Sequence, residues 1–446
     1  MSIFSKLKDI WQTDPLLRRV VKNSGHLLSA NAVAALLGFA QGILAVRLIG
    51  ITDWGLVATV ITFASNINRF LTFRMSEVVV QRMGAALSAG KKSQAAVTVK
   101  AAMLTEAATS ILAFTILLAL APWAALNLGK DIQLAPLFAL YGIILLTNIA
   151  TESSTGVLQT LRRFNWIARV NMIQALVTAA LIGLAFLAHG GLSAIVLAFV
   201  VGKTINGLGL GFLALLELHK TLGAGWWKAP LASLPEKRGM FSFMINTNLN
   251  GTVNLVTRDN IPLYLAALLS PTEVGYFKLA LSLINLVLLP LDPFIWPTYA
   301  EITQTIAQKA WDKTRLLLRR VSLITGMVVF SVGGGLALTG WFLLPLLYGP
   351  DAGPAYPALL ILLLGYGFAS IFQWNRPLLL AFGKPFFPVI VSFLVGLVEL
   401  ALIFSLVPQF GYLSLAGILS GYFVISIGII VWRGLAEIKQ QEQAAQ

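Results

Sequence analysis

The sequence lacks cysteine altogether and has few charged residues. None of its 446 residues is a cysteine, and only 11% are charged. The absence of thiols excludes disulfide bonds, cysteine-bound iron–sulfur clusters and thiolate zinc sites. An ordinary soluble domain has about 25% charged residues, and a disordered chain has few apolar ones, so both classes are excluded. Most of the chain is therefore expected to lie in a hydrophobic environment.

Apolar stretches of membrane-spanning length take up most of the sequence. Apolar residues make up 57% of the chain, and the mean hydropathy is +0.82. A helix needs about 20 apolar residues to cross a bilayer. Such stretches are predicted at residues 24–48, 55–80, 95–122, 133–158, 166–188, 192–216, 241–269, 275–297, 320–344, 357–382, 386–407 and 413–432. The sequence therefore predicts an all-α polytopic membrane protein with about 12 transmembrane helices.

The basic residues predict the orientation of the chain in the membrane. The formal charge is +14, which in a soluble protein would suggest a nucleic-acid partner. In a membrane protein, Lys and Arg instead collect on the cytoplasmic side. With both termini inside, the predicted cytoplasmic segments hold 22 of the 32 Lys and Arg, and the external loops hold only Lys130. We therefore expect a multi-pass protein of the plasma (inner) membrane with cytoplasmic termini and no nucleic-acid partner.

Short motifs repeat along the chain at a constant offset. Residues 51–55 (ITDWG) correspond to 271–275 (PTEVG), and Gly129 and Asp131 correspond to Gly349 and Asp351. In each pair the residue numbers differ by 220. The spans fall in the same register, which predicts two six-helix lobes related by an axis along the membrane normal. The predicted parts are a cytoplasmic interfacial lead-in (1–23), an N-terminal lobe (24–216), a cytoplasmic linker (217–240), a C-terminal lobe (241–432) and a cytoplasmic tail (433–446).

Several ionisable residues are predicted within the spans, where a charge is costly unless it faces water or protein. At 1.5 Å per residue, Arg69 lies about 21 Å and Arg258 about 25 Å from the predicted start of its span, and Lys203 and Glu106 about 16 Å. Polar residues recur every three or four positions before Arg69 (Thr62, Ser65) and before Arg258 (Asn246, Asn250, Asn254). Such stripes predict a polar surface facing protein or a water-filled cavity.

The intramembrane charges divide into two sets of candidate site residues. The substrate-binding candidates are the cations Arg69, Arg258, Lys203, Arg74 and Arg376, because a guanidinium binds an anionic group with paired hydrogen bonds while it stays charged. The coupling-ion candidates are the carboxylates Glu106, Asp259, Glu152 and Glu399, because a buried carboxyl can carry a proton. The alternative is structural: Arg258 adjoins Asp259, Arg74 precedes Glu77 by three residues, and Glu152 and Arg376 lie towards the cytoplasmic rim. No metal site is expected, because the three histidines are scattered.

Residues 22–24 (KNS), 47–55 (RLIGITDWG), 270–280 (SPTEVGYFKLA) and 347–351 (LYGPD) together resemble the oligosaccharide flippase family, which includes O-antigen flippases. That family belongs to the multidrug/oligosaccharidyl-lipid/polysaccharide exporter superfamily. The resemblance implies two lobes around a central cavity that moves a polyprenyl-pyrophosphate-linked oligosaccharide to the outer leaflet by alternating access. Glycosyltransferases and a polysaccharide polymerase are the implied partners, besides membrane lipids. The lipid II branch places arginines in its first helix, whereas this first span has only His26 and Arg47 near its ends, which argues against lipid II as cargo.

Two other functions remain open at this point. A membrane-embedded glycosyltransferase or polymerase needs a constellation of acid–base groups, whereas the external carboxylates here are isolated. We therefore expect no enzyme. A cation-coupled multidrug exporter of the same superfamily is the alternative, since fold does not fix substrate. Residues 202–204 (GKT) copy the end of a P-loop, but no strand precedes them, so no nucleotide and no other cofactor is expected.

Overall fold

The computed structural model describes residues 15–71, 74–234, 260–291 and 295–445. Within these ranges the chain is helical and contains no strand. The helices of the first half are α1 (Pro15–Leu71), α2 (Met75–Ser88), α3 (Lys92–Asn127), α4 (Ala135–Thr147), α5 (Thr151–Thr160), α6 (Phe164–Leu187) and α7 (Leu192–Leu222). The predicted all-α class is confirmed.

The second half continues in the same manner. Its helices are α8 (Ile261–Leu268), α9 (Pro271–Leu288), α10 (Ile295–Ala307), α11 (Trp311–Val328), α12 (Gly334–Tyr348), α13 (Ala355–Ile371), α14 (Asn375–Ala381) and α15 (Phe386–Ala445). A π-helical turn, Val329–Gly333, joins α11 to α12. Single 3₁₀ turns lie at Ile132–Leu134 and Pro350–Ala352, and two more follow α7. Among the described residues, eight helical segments are long and apolar enough to cross a membrane.

Two of these eight segments each contain two predicted spans. The first predicted span, and the second as far as Leu71, lie in α1, which breaks at Gly50, where φ is 80°. The last two lie in α15, which breaks at Gly411, where φ is 69°. Glycine adopts this left-handed conformation without steric cost, so each break is a turn between two crossings. The predicted seventh span, 241–269, lies largely outside the described residues.

The fourth and tenth predicted spans are each present as one apolar segment, and each of these segments contains a break in the helix. The fourth consists of α4 and α5 with a break at residues 148–150, and the tenth of α13 and α14 with a break at residues 372–374. The second predicted span also ends early, because α1 stops at Leu71 and a new helix begins at Met75. Neither of the first two breaks contains Gly or Pro, so no local sequence signal marks them.

Two of the turns between crossings repeat at the offset seen in the sequence. The turn at Gly50 corresponds to Ser270, which caps α9 with a hydrogen-bonded capping box. The turn at Gly411 corresponds to Gly191, which precedes α7. These breaks occur where the chain reverses between crossings, and both pairs keep the offset of the sequence motifs. The repeat is therefore a repeat of structure as well as of sequence.

The chain forms two compact units. The first contains the described residues of Met1–Gly42, Ala64–Pro122 and Ala135–Gly251, and the second those of Ile43–Phe63, Trp123–Leu134 and Thr252–Gln446. The first unit has a buried core between α2, α3, α5 and α7 that includes Met83, Val99, Leu158 and Leu218. The second has a cluster that includes Ile302, Leu318, Trp374, Leu378 and Ile438. Two stretches of the first half of the sequence thus pack within the second unit.

Within the second unit, the two repeats meet in a reciprocal helix crossing. The hydroxyls of Thr52 and Thr272, which are equivalent in the repeat, share a hydrogen bond of 2.8 Å. A Cβ on Gly55 would overlap the carbonyl oxygen of Pro271, and a Cβ on Gly275 would overlap the carbonyl oxygen of Ile51. Each contact is the repeat image of the other. The contacts at the crossing therefore follow the symmetry of the sequence repeat.

Candidate functional site

A buried carboxylate holds the break between α4 and α5 in the first unit. The two carboxylate oxygens of Glu106, on α3, accept hydrogen bonds of 2.8 Å from the backbone N–H groups of Glu152 and Ser153. These N–H groups belong to the first turn of α5 and have no partner within that helix. The partial positive charge of a helix N-terminus also favours an anion there. Glu106 thus fixes the position of α5 against α3.

A chain of polar contacts leads from this carboxylate to α2. The hydroxyl of Ser76 donates a hydrogen bond of 2.6 Å to the side chain of Glu152. At the N-terminus of α2, the guanidinium of Arg74 forms a 3.0 Å ion pair with Glu77. Both of these side chains are exposed, so the pair contributes about 1 kcal/mol or less to stability. The structure therefore brings Glu106 and Glu152 together and gives Arg74 the intrahelical partner that the structural alternative predicts.

A second group of polar contacts joins α4 to α7 at the same break. The side-chain amide of Asn148 donates to the carbonyl oxygen of Ile144 at 2.7 Å and weakly to that of Lys203 at 3.4 Å. The hydroxyl of Thr204 donates to that of Thr147 at 3.3 Å. The contact between α4 and α7 is close because position 207 of α7, at this point, is a glycine.

Glycine at position 207 lets the two helices approach. A Cβ at that position would lie 2.6 Å from the side-chain oxygen of Asn148. Beside it on α7, the amide of Asn206 donates to Asn171 on α6 at 2.9 Å. We call this set the α4–α7 polar seam; its residues are Thr147, Asn148, Asn171, Lys203, Thr204 and Asn206.

Lys203 joins this polar seam through its backbone carbonyl oxygen and is the ionisable residue among its members. It lies about 16 Å along the helix axis from the start of α7 at Leu192, so it lies at membrane depth. Its side chain is exposed, and its ammonium group has no hydrogen bond or ion pair within the part of the chain that the structure describes. An unpaired cation at this depth is expected to face a water-filled cavity or a ligand, because lipid would penalise it.

The other predicted cations lie elsewhere. Arg69 is exposed in the last turn of α1, in the first unit. Arg376 is exposed in the first turn of α14, in the second unit. Arg258 and Asp259 lie outside the described residues. The predicted polar stripe before Arg258 lies outside them as well.

A different kind of group lies in the second unit. Glu399, on α15, is only 2% exposed, and among the described residues neither of its carboxylate oxygens has a hydrogen-bond partner. It lies midway between the start of the helix at Phe386 and the turn at Gly411, so it is close to the middle of its crossing. A buried carboxylate without a partner is stable only when it is neutral or binds a cation. The geometry thus suits the predicted role of a coupling site.

Reasoning from sequence missed most of the polar seam. Asn148, Asn171, Thr204 and Asn206 are not among the predicted site residues, because those candidates are all ionisable side chains and these four are not. The asparagines within apolar spans were a usable signal, since amides in a membrane span are expected to hydrogen-bond to neighbouring helices. The partners could not be deduced, because they lie on three different helices.

The comparisons with known proteins agree with this architecture. The family model described as "Polysaccharide biosynthesis protein" matches residues 43–352, which is more than half of the chain. The chain belongs to the polysaccharide biosynthesis protein family. A curated relative, the inner membrane protein YghQ of Escherichia coli (strain K12), is 25% identical over 329 residues. That match covers 72% of this chain and 92% of the relative.

Solved structures share the fold at low sequence identity. A multidrug resistance MATE family transporter of the MOP superfamily, in an inward-facing conformation, matches with a TM-score of 0.71 and 13% identity over 93% of this chain and 96% of that one. The lipid II flippase MurJ, in an inward closed conformation, matches with a TM-score of 0.68 and 15% identity over 94% and 90%. The family member described here is therefore a multi-pass membrane protein with the fold of this superfamily.

Proposed function

We propose that the protein is a flippase that moves a polyprenyl-pyrophosphate-linked oligosaccharide from the cytoplasmic to the outer leaflet during cell-surface polysaccharide biosynthesis. The family is one of polysaccharide biosynthesis, and the fold is shared with a lipid II flippase. The observation that carries the proposal is the exposed Lys203, whose backbone carbonyl belongs to the amide-rich and hydroxyl-rich seam of the first unit and whose ammonium has no partner among the described residues. This combination matches the chemistry of an anionic cargo that carries sugars.

In this proposal, the residues of the seam contact different parts of the cargo. The ammonium of Lys203 attracts the pyrophosphate as a point charge with three rotatable donors, which tolerates a cargo that moves. The amides and hydroxyls of Asn148, Thr204 and Asn206 exchange hydrogen bonds with sugar hydroxyls, which would otherwise be costly to remove from water. Arg69 and Arg258 remain further candidates for pyrophosphate contacts. The protein would act in the plasma membrane with cytoplasmic termini, alongside the glycosyltransferases and polymerase of its pathway.

The test is a flipping assay in liposomes. The purified protein is reconstituted with a fluorescent polyprenyl-pyrophosphate oligosaccharide, and protection from a membrane-impermeant quencher is measured. Lys203→Ala is expected to slow translocation about tenfold or more, since a charge-assisted contact contributes about 1.5–3 kcal/mol. Lys203→Arg is expected to retain part of the activity. The matched control is Lys220→Ala, which removes a lysine from the cytoplasmic end of the same helix, where it pairs with Glu217.

Two results would contradict the proposal. The first is an equal translocation rate for the wild type and for correctly folded Lys203→Ala, which would show that the seam does not contact the cargo. The second is failure of the wild type to move any lipid-linked sugar while it moves a cationic dye. That result would establish the second candidate function, a cation-coupled exporter of small molecules.

The second candidate is favoured by one observation, the buried carboxyl of Glu399 in the second unit, which has no hydrogen-bond partner in the part of the chain that the structure describes. A carboxyl that exchanges a proton during each cycle is the simplest coupling device for such an exporter. Dye efflux driven by a proton gradient should then disappear in Glu399→Gln, which keeps the shape of the side chain and cannot lose a proton. In a flippase driven otherwise, the same variant should leave translocation intact.

A further inference from the structure

An open cavity of about 800 Å³ runs along one face of α11 in the second unit. Its volume falls within the range of about 300–1,000 Å³ that is typical of ligand pockets. Residues from Arg315 to Ser331 line it at helical spacing, so it follows the helix for about 24 Å. Its other walls come from the break between α13 and α14 and from α15. We call this cavity the α11 groove.

The repeat explains why the groove exists in the second unit. Position 326, in the middle of the groove, is a glycine, and the equivalent position in the first repeat is Glu106. There the carboxylate fills the space beside the helix break and binds the N-terminus of α5. In the second repeat, the nearest atom to a Cβ on Gly326 would be a side-chain carbon of Ile371 at 3.9 Å, an ordinary contact distance. The missing side chain leaves room for a ligand.

The wall of the groove is apolar along most of its length. Its outer rim includes Met327 and Phe330, which are 65% and 75% exposed, on a segment apolar enough to cross the membrane. The indole N–H of Trp374 donates to the hydroxyl of Ser322 at 2.7 Å, so these two polar groups satisfy each other. An extended hydrocarbon chain therefore fits the wall.

The end of the groove at the start of α11 is cationic. The guanidinium of Arg315 is bound by the carboxylates of Glu442 and Asp312. Arg319, one turn further along, also lines the groove, and it has no ion pair within the described residues. An apolar slot with an uncompensated guanidinium at one end is complementary to an anionic headgroup that bears a hydrocarbon chain.

We propose that the α11 groove binds an anionic phospholipid of the cytoplasmic leaflet, with its phosphate on Arg319 and one acyl chain along the wall beside Gly326. The cytoplasmic leaflet is the source because α11 begins in the most basic of the predicted cytoplasmic loops. The inner leaflet carries negative surface charge, which concentrates such lipids near basic residues. The bound lipid acts as a structural ligand that ties α11 to the break between α13 and α14.

The proposal is tested on the purified full-length chain by native mass spectrometry and thermal unfolding in detergent. After delipidation, phosphatidylglycerol or phosphatidylcholine is added back. Phosphatidylglycerol should bind at one site per chain and raise the unfolding temperature. Arg319→Gln should weaken its binding about tenfold, because one charge-assisted contact is lost. Gly326→Leu should also prevent binding, because the leucine occupies the acyl-chain position.

Two control variants separate this site from general effects. Arg320→Gln removes the neighbouring charge, which does not line the groove, and Gly335→Leu adds a leucine in the next helix at an unhindered position. Both should bind phosphatidylglycerol like the wild type. The proposal is overturned if Arg319→Gln and Arg320→Gln lose equal affinity, or if phosphatidylcholine binds as well as phosphatidylglycerol. It is also overturned if a polyprenyl phosphate displaces phosphatidylglycerol from the groove at equimolar concentration, which would assign the groove to the transport substrate.

Discussion

Among the individual residues, Glu106 has the clearest structural role, because its carboxylate satisfies two backbone N–H groups at the start of α5. We expect Glu106→Ala to reduce the free energy of unfolding by about 2 kcal/mol, within the range for leaving buried donors unsatisfied. Glu106→Gln, which keeps one acceptor oxygen, should lose roughly half as much. Thermal unfolding in detergent measures both effects. If Glu106→Gln is as stable as the wild type but inactive in transport, Glu106 is a coupling residue, which is the role that its predicted position within a span indicates.

The depth of a charged residue could be predicted, and its partners could not. Lys203 and Glu106 were both placed near the middle of their spans because helical rise converts sequence position into depth. Whether each faces a helix end or open space depends on other helices. Glu106 meets the start of α5, whereas the ammonium of Lys203 pairs with no group in the described ranges. The sequence therefore identifies both residues as candidates, but it does not show that Glu106 has structural hydrogen-bond partners whereas the side chain of Lys203 is exposed.

At the scale of helices, the crossing of α1 and α9 depends on two glycines. A methyl group at position 55 would overlap the carbonyl oxygen of Pro271, and backbone atoms cannot move aside as a flexible side chain can. We expect Gly55→Ala to destabilise the protein by about 1–3 kcal/mol, as overpacking does. Gly38→Ala, on the same helix, meets no atom within 4 Å and should be neutral or slightly stabilising. Equal unfolding temperatures for the two variants would show that the crossing adapts.

Helix boundaries were predictable where glycine marks them. Gly50 and Gly411 both turn the chain between crossings, and the predicted spans end beside them. The break at residues 148–150 carries no such mark. It is held by Glu106, which is 46 residues away from Glu152 in the sequence. A tertiary contact of this kind overrides local helix propensity, so hydropathy alone predicted one continuous span.

At the scale of the whole chain, the internal repeat was the most informative sequence signal. Its constant offset predicted which helices correspond, and the breaks at Gly191 and Gly411 obey it. It also shows where the halves differ. Glu106 and Gly326 occupy equivalent positions, but the carboxylate of Glu106 binds the start of α5, whereas Gly326 has no side chain and leaves the α11 groove open. The family match supports the same interpretation of the fold. The cargo does not follow from symmetry or fold, because it depends on a few side chains that vary freely on a shared scaffold.

The reciprocal crossing allows a test of alternating access in the whole molecule. Thr52 and Thr272 approach within 2.8 Å, and the chain has no native cysteine, so Thr52→Cys with Thr272→Cys introduces the only thiols. Under the proposed alternating-access mechanism, the two repeats move apart at this crossing in one half of the cycle, so a disulfide here should abolish translocation. Reduction should restore it, and either single variant should remain active. A matched disulfide between Val170→Cys and Gly209→Cys joins α6 to α7. A Cβ at position 209 would lie 3.2 Å from the Cγ1 atom of Val170.

The control disulfide separates a blocked movement from a general loss of flexibility. It joins neighbouring helices of the same repeat, so translocation should continue when it forms. Full activity of the oxidised Thr52→Cys/Thr272→Cys protein would show that the crossing stays closed throughout the cycle, and alternating access would then have to operate elsewhere. Loss of activity in the double variant alone would make the crossing a gate, because the same covalent constraint within one repeat would have no effect.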